Sequence, residues 1–271
     1  MIQKKYLQNA IVGGVAVIFG GTRMIPNPIV DGPATTTAIA VISGAAKDTA
    51  SPVPVVSVPA AKSKVVVALE SFQTAVGRLS SSHALEDAFR SYFAYKAAHP
   101  EDVKKPLLYF VDYGLPSTMP RGYVFDMNAM RVIDGPFMVA HGRGSSASKY
   151  GVPTRFSNRT GSNATSLGLY VAQETYSFRG KTAGRSYNSV GLRLQGVSEG
   201  YNDNARARKV VAHGAPYVTP KKAGRSEGCP AMEQARARRL LPELANGGMV
   251  FLFAPDENWM AKDQWVTAST D

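Results

Sequence analysis

Seven short apolar runs, separated by turn residues, occupy the chain from 107 to 253 and constrain its fold more than any other feature. They are Leu107–Asp112, Gly122–Met127, Phe137–His141, Leu167–Val171, Leu192–Leu194, Lys209–His213 and Met249–Phe253. Runs of this length, rich in Val, Leu, Phe and Tyr and bounded by Gly, Pro, Asn and Ser, read as strands. One convincing helical stretch interrupts them, near Met232 to Ala245, and Pro242 should shorten or bend it. Many strands and few helices predict a mainly β domain, a sandwich or partial barrel, over 105–256. Residues 142–165, rich in Ser, Gly, Asn and Arg, read as a long functional loop.

The segment before this domain is organised differently. Over 63–104 the apolar residues recur at helical spacing: Ala68, Leu69, Phe72, Ala75, Val76 and Leu79, then Ala84, Leu85, Ala88, Phe89, Tyr92 and Phe93. Pro100 supplies a stop signal. Residues 26–62 are rich in Pro, Ala, Thr, Ser and Val without helical period, and read as an extended linker. At the start, Lys4 and Lys5 precede an uncharged apolar run, Ala10 to Gly21. That run is shorter than the roughly 20 residues of an ordinary membrane span. Its length and basic flank match a secretory signal. Counted from Tyr6 to Thr22 it makes a marginal span, with the N-terminus in the cytoplasm and the rest outside. Residues 1–25 are therefore expected to be a signal or membrane anchor, and the protein to be exported, periplasmic, and attached to the inner membrane if the segment is not cleaved. Ala38-Ile39-Ala40 is a distant cleavage candidate. Residues 257–271 are left as a C-terminal tail.

Net charge is +11, which suits a polyanionic partner such as nucleic acid, anionic lipid or cell-wall polymer. No dense Lys/Arg block and no zinc-type Cys/His cluster occurs, so the nucleic-acid reading lacks a motif and no metal site or cofactor is expected.

The chain has a single cysteine, Cys229. It is either a small buried hydrophobe or a thiol kept for its reactivity, and it cannot form an internal disulfide. An exported domain that used cysteine for stability would carry an even number. His213 precedes it by sixteen residues, at the end of a predicted strand, so both can lie on one rim of a β domain. An imidazole there can make the thiol a thiolate. Gly228 permits a tight turn in which the Gly228 and Cys229 N–H groups face one point, as an oxyanion hole requires. Ser226 can orient the loop or the imidazole.

The text VVAHGAPYV followed by GRSEGCP resembles the catalytic signature of the murein L,D-transpeptidase catalytic domain family, of YkuD-type fold, in its branch with Pro after the cysteine. IDGPFMVAHGRG, TRFSNRTGS, SLGLY, ETY and NDNARARKVVAHG add to the resemblance, which covers about 105–255. It implies a YkuD-like β-sandwich or partial barrel with Cys229 as nucleophile, His213 as base and the Gly214 carbonyl orienting the imidazole. It further implies peptidoglycan stem peptides as substrate and no cofactor. The thiol would be acylated on a tetrapeptide stem with release of D-Ala, and an amine of a second stem would resolve the thioester as a 3→3 crosslink. Water as acceptor would make the enzyme an L,D-carboxypeptidase instead. A non-catalytic cell-wall-binding module is the alternative from another class.

Two departures stand out. Glu227 occupies a position that is often basic or aromatic, and is expected to face solvent or to pair with Arg225 or a substrate ammonium. Pro230-Ala231-Met232 stands where an Arg often comes soon after the cysteine, so a substrate-carboxylate clamp must come from elsewhere, such as Arg225, Arg206 or Arg143. The repeated text Val139-Ala140-His141-Gly142 makes His141 a competitor of His213, with a place in the cleft wall as its expected role.

Overall fold

The computed structural model describes residues 62–269. The expected signal or anchor, and all of the expected linker but Lys62, lie outside the described residues. In chain order the elements are α1 (Lys64–Phe72), α2 (Ala84–Ala98), β1 (Leu107–Asp112), β2 (Gly122–Asp126), β3 (Arg131–Phe137), β4 (His141–Gly142), β5 (Gly168–Thr182), β6 (Arg185–Gly196), β7 (Val211–Gly214), β8 (Val218–Thr219), β9 (Lys222–Ala223), β10 (Arg225–Ser226), β11 (Ala231–Met232), α3 (Gln234–Leu244), β12 (Met249–Phe253) and α4 (Glu257–Met260). No described helix is long and apolar enough to cross a membrane.

The domain is mainly β. Eight strands form one mixed sheet in the order β11-β7-β6-β5-β12-β1-β2-β3. Its centre is the parallel pair β1–β12, buried on both faces, which explains why these two strands read as unbroken apolar runs. Alternation then assigns side chains to faces. Phe110 and Phe125 lie together, and Phe72 of α1 and Phe89 of α2 pack on Phe125 at ring-centroid distances of 4.7 and 5.6 Å. Tyr109 points the other way and stacks on Phe137, which lies beneath Arg236 of α3. The helices of 63–104 thus share one apolar core with the sheet. Asp112, at the end of β1, anchors their connection by accepting from Ser80 N (2.7 Å) and Ser80 Oγ (2.6 Å).

Residues after β12 also join the core. Asp256 caps α4 by accepting from Trp259 N, and Trp259, 2% exposed, packs on Phe251 and Phe253. Pro242 falls in the last turn of α3, and Lys105 Nζ donates to the carbonyls of Pro242 and Glu243.

Four strands, β3 to β6, differ from the expectation. The run 137–141 is split: β3 ends at Phe137, and β4 pairs in parallel with β10 in a separate two-stranded sheet. The strand Arg131–Phe137 was hidden by Arg131, Asp134, Gly135 and Pro136. β5 and β6 run far past their apolar ends into a long hairpin closed by Ala183 and Gly184, both at positive φ, as a two-residue turn of this hand requires. The outer arm alternates half-buried Tyr176 and Phe178 with exposed Ser177 and Arg179. It is a strand by period 2, not by hydrophobic content.

Candidate active site

The site lies beside the paired strands β6, β7 and β11, just before β11 begins. Gly191 of β6 faces His213 of β7, which in turn faces Ala231 of β11. His213 N donates to the Pro230 carbonyl at 3.2 Å, so the residue after Cys229 is fixed to the strand carrying the imidazole. This pairing brings two residues sixteen apart to one rim.

The Cys229 loop is stapled by Ser226. Its hydroxyl donates to the Cys229 carbonyl at 2.7 Å and accepts from Gly228 N at 3.2 Å. The Gly228 N–H is therefore engaged, whereas the Cys229 N–H meets no acceptor among the described residues. Of the two N–H groups expected to face one point, that of Cys229 alone is unengaged there. Gly228 has φ +126°, a backbone that favours glycine, and a Cβ there would lie 3.0 Å from the Ala164 carbonyl. The loop 142–165 wraps this point. A Cβ on Gly142 would come within 2.7 Å of Gly228 Cα, so only glycine lets the two loops touch.

His213 is buried, with Nδ1 3.1 Å from the Gly214 carbonyl. A carbonyl only accepts, so the proton sits on Nδ1 and Nε2 carries the lone pair. The one group within hydrogen-bond range of Nε2 among the described residues is the Tyr217 hydroxyl, at 3.5 Å. Phe178, from the hairpin arm, stands edge-on to the imidazole at 5.6 Å.

The Cys229 thiol is partly buried, and its nearest acceptor is the Lys209 carbonyl at 4.0 Å. Burial pushes the thiol up from its ordinary value, the Val211 N–H and the Arg208 guanidinium oppose this, and Glu227 adds to it. Burial also lowers His213, against the pull of the Gly214 carbonyl. Desolvation thus works towards the neutral form of both groups, the thiol and the imidazole, and outweighs what their neighbours return.

His141 is placed differently. It is fully buried, and its Nδ1 accepts from Arg121 Nη2 at 3.0 Å. Its one lone pair is thus already taken. Burial first, then Arg121 and Arg225, hold its pKa down to about 3. It has no basic atom to offer a thiol. Arg121, itself buried, also donates to the Val139 and Leu115 carbonyls, so the pair braces the segment that enters β4.

The three candidate clamp residues are engaged in different places. Arg225 donates to the Ser146 and Ala147 carbonyls. Arg206 pairs with Glu174 on β5, which also takes Arg193. Arg143 Nε donates to Glu227 Oε2 at 2.6 Å, so the partner of Glu227 is Arg143 and not Arg225. The cation whose charge acts on the Cys229 thiol is Arg208, which the motifs did not single out. It bonds the carbonyls of Ser157 and Ala164 and lies against Gly228. Arg121 and Tyr217 were also missed. Tyr217 stands inside VVAHGAPYV, four residues after His213, and that spacing was the one available signal.

One group of potential metal ligands occurs among the described residues, His99, Glu101 and Asp102. It sits at the end of α2, and Asp102 already accepts from Tyr95. None of it touches Cys229.

The L,D-transpeptidase catalytic domain family (YkuD_2) matches residues 78–253, from the α1–α2 connection to the last residue of β12. The chain belongs to this family. Among solved structures it is similar to an L,D-transpeptidase (Yku) from Stackebrandtia nassauensis, at 16% identity over 64% of this chain and 67% of that one, with a TM-score of 0.35. An L,D-transpeptidase from Mycobacterium smegmatis matches at 13% identity over 55% and 59%, with a TM-score of 0.32. One from Mycobacterium tuberculosis H37Rv matches at 14% identity over 55% and 57%, with a TM-score of 0.31. The match spans about three fifths of the length of the Mycobacterium smegmatis structure. No curated protein sequence matches the chain.

Proposed function

We propose that the protein is a peptidoglycan L,D-transpeptidase with Cys229 as nucleophile and His213 as base. One observation carries the reading: His213 is locked on the Gly214 carbonyl with its lone pair on Nε2, on the strand that hydrogen-bonds the residue after the only thiol of the chain.

The chemistry follows from these protonation states. Sγ attacks the carbonyl of the third residue of a tetrapeptide stem as its proton passes to Nε2. The Cys229 N–H stabilises the oxyanion. Collapse breaks the peptide bond, and Nε2–H gives its proton to the departing amine of D-Ala, leaving a thioester. The amine of a second stem attacks that thioester and loses a proton to Nε2. Collapse then returns the proton to sulfur and leaves a 3→3 crosslink. Ser226 and Gly228 hold the nucleophile loop, and His141 with Arg121 braces the cleft wall. A peptidoglycan substrate calls for a site outside the cytoplasm, and residues 1–25 would direct export as a signal or, if uncleaved, a membrane anchor.

Incubation with disaccharide tetrapeptide and analysis of the products tests this. Release of D-Ala with 3→3 dimers is the expected result. D-Ala without dimers assigns a carboxypeptidase. Neither product, and no adduct with a carbapenem, assigns a non-catalytic wall-binding module. A phosphatase reporter fused after about residue 60 should be active outside the cytoplasm of a Gram-negative host; an inactive fusion overturns export.

A further inference from the structure

Three segments far apart in sequence meet beside the nucleophile loop and bring three polar side chains to the surface. Arg143 Nε donates to Glu227 Oε2 at 2.6 Å. The Asn163 amide, oriented by its neighbours, bridges the same pair: its nitrogen donates to Glu227 Oε2 at 3.0 Å and its oxygen accepts from Arg143 Nη2 at 3.0 Å. Asn163 is held at φ +53°, a conformation Asn tolerates better than most residues.

What this triad leaves over is as informative as what it uses. Both bonds to Glu227 go to Oε2, so Oε1 takes none among the described residues. Arg143 spends Nε and Nη2, so Nη1 is also without a partner there. An anionic acceptor and a cationic donor are therefore left over on the two partners of one exposed ion pair, whose carboxylate lies two residues from Cys229. An exposed ion pair gains little stability from itself, so a ligand can join or replace it at low cost.

We infer that Arg143, Asn163 and Glu227 form a clamp for a zwitterionic amino-acid terminus, an ammonium and a carboxylate on one carbon. In the donor stem that group is the side-chain end of a diaminopimelate third residue, next to the carbonyl that Sγ attacks. Glu227 Oε1 takes the ammonium and Arg143 Nη1 the carboxylate, while Asn163 keeps both side chains in place. The inference rests on the transpeptidase reading for its substrate, and it assigns Glu227 a specificity role in place of the residue types more usual there.

The test separates the clamp from the chemistry. Binding is measured by calorimetry with the full chain carrying Cys229→Ala, so that no turnover occurs. The probes are two disaccharide tetrapeptides, one with diaminopimelate and one with L-lysine, which keeps the ammonium and lacks the carboxylate. The parent should prefer the diaminopimelate stem about tenfold or more, the range of a lost charge-assisted contact. Arg143→Gln should erase that preference, Arg143→Lys should restore part of it, and Glu227→Gln should weaken both stems. Because the preference is a ratio within each variant, a partly unfolded sample does not change it. A parent without preference or without binding, or a preference that survives Arg143→Gln, overturns the clamp. If the clamp behaves as stated but the protein with Cys229 intact releases no D-Ala, the transpeptidase reading fails alone.

Discussion

The Tyr217 hydroxyl lies 3.5 Å from Nε2 of His213, the one ring nitrogen the Gly214 carbonyl leaves unprotonated. Burial, with Tyr187, Cys229 and Glu227 close by, pushes Tyr217 far above the ordinary tyrosine range, so it stays protonated and can only donate to that lone pair. This contact favours the neutral imidazole on which proton transfer from sulfur depends.

Tyr217→Phe should therefore raise the pKa of His213. The pH profile of acylation reads it. In the wild type, activity should rise through an apparent pKa below 6.5, the ordinary histidine value, because burial depresses His213. It should then stay flat to about pH 9, because the thiol lies above its own ordinary value of 9.0. In Tyr217→Phe the acid limb should move to higher pH. An unmoved limb would show that the hydroxyl does not act on the imidazole.

Cys229→Ala should abolish the thioester while the fold persists. The thiol sits at a rim and takes no part in the main apolar core, so the stability change should stay within about 1 kcal/mol. Intact-mass analysis after carbapenem treatment checks the adduct, and a thermal melt checks the fold. D-Ala release at the wild-type rate by this variant would remove Cys229 from the mechanism.

The two VAHG histidines should fail in different ways. His213→Ala should slow single-turnover acylation about 10²–10⁴-fold with little change in melting. His141→Asn should show instead in acid stability. The folded pKa of His141 is about 3 and the unfolded value about 6.5, so the unfolded chain binds the extra proton below pH 6.5. Stability from neutral His141 is complete above that pH and is lost as pH falls toward 3, by up to about 1.4 kcal/mol per unit. The difference between wild type and His141→Asn, followed by denaturant melts from pH 7 to 4, isolates this contribution. A constant difference would mean that Arg121 and burial do not hold the ring neutral.

Trp259→Ala should cost about 3–5 kcal/mol, the usual range for emptying a buried aromatic site. Trp259 fills the space over Phe251 and Phe253 and closes the core from beyond β12. Urea unfolding measures it. A loss below 1 kcal/mol would show that residues after β12 are dispensable to the domain.

Local pattern alone was enough for α2, β1 and β12, where helical spacing or an unbroken apolar run coincides with burial. His213 and Cys229 stand out as a candidate pair in the text as well, because glycines and a strand end mark both positions. Beyond these, contacts between distant segments decided. Arg131–Phe137 is a strand because β2 pairs with it, despite its own residues. Arg206 and Arg208 are near-identical in sequence context, yet Arg206 turns to Glu174 and Arg208 lies against Gly228. His141 and His213 share the text VAHG, and only packing tells them apart: Arg121, twenty residues from His141, takes the lone pair of one at 3.0 Å, while the Gly214 carbonyl fixes that of the other on Nε2, where it meets only the longer 3.5 Å contact of Tyr217. Glu227 finds Arg143 across 84 residues of chain. Periodicity and turn chemistry are local and can be read along the chain. The partner of a lone pair or a charge is set by which loops the sheet brings together, and no local pattern carries that information.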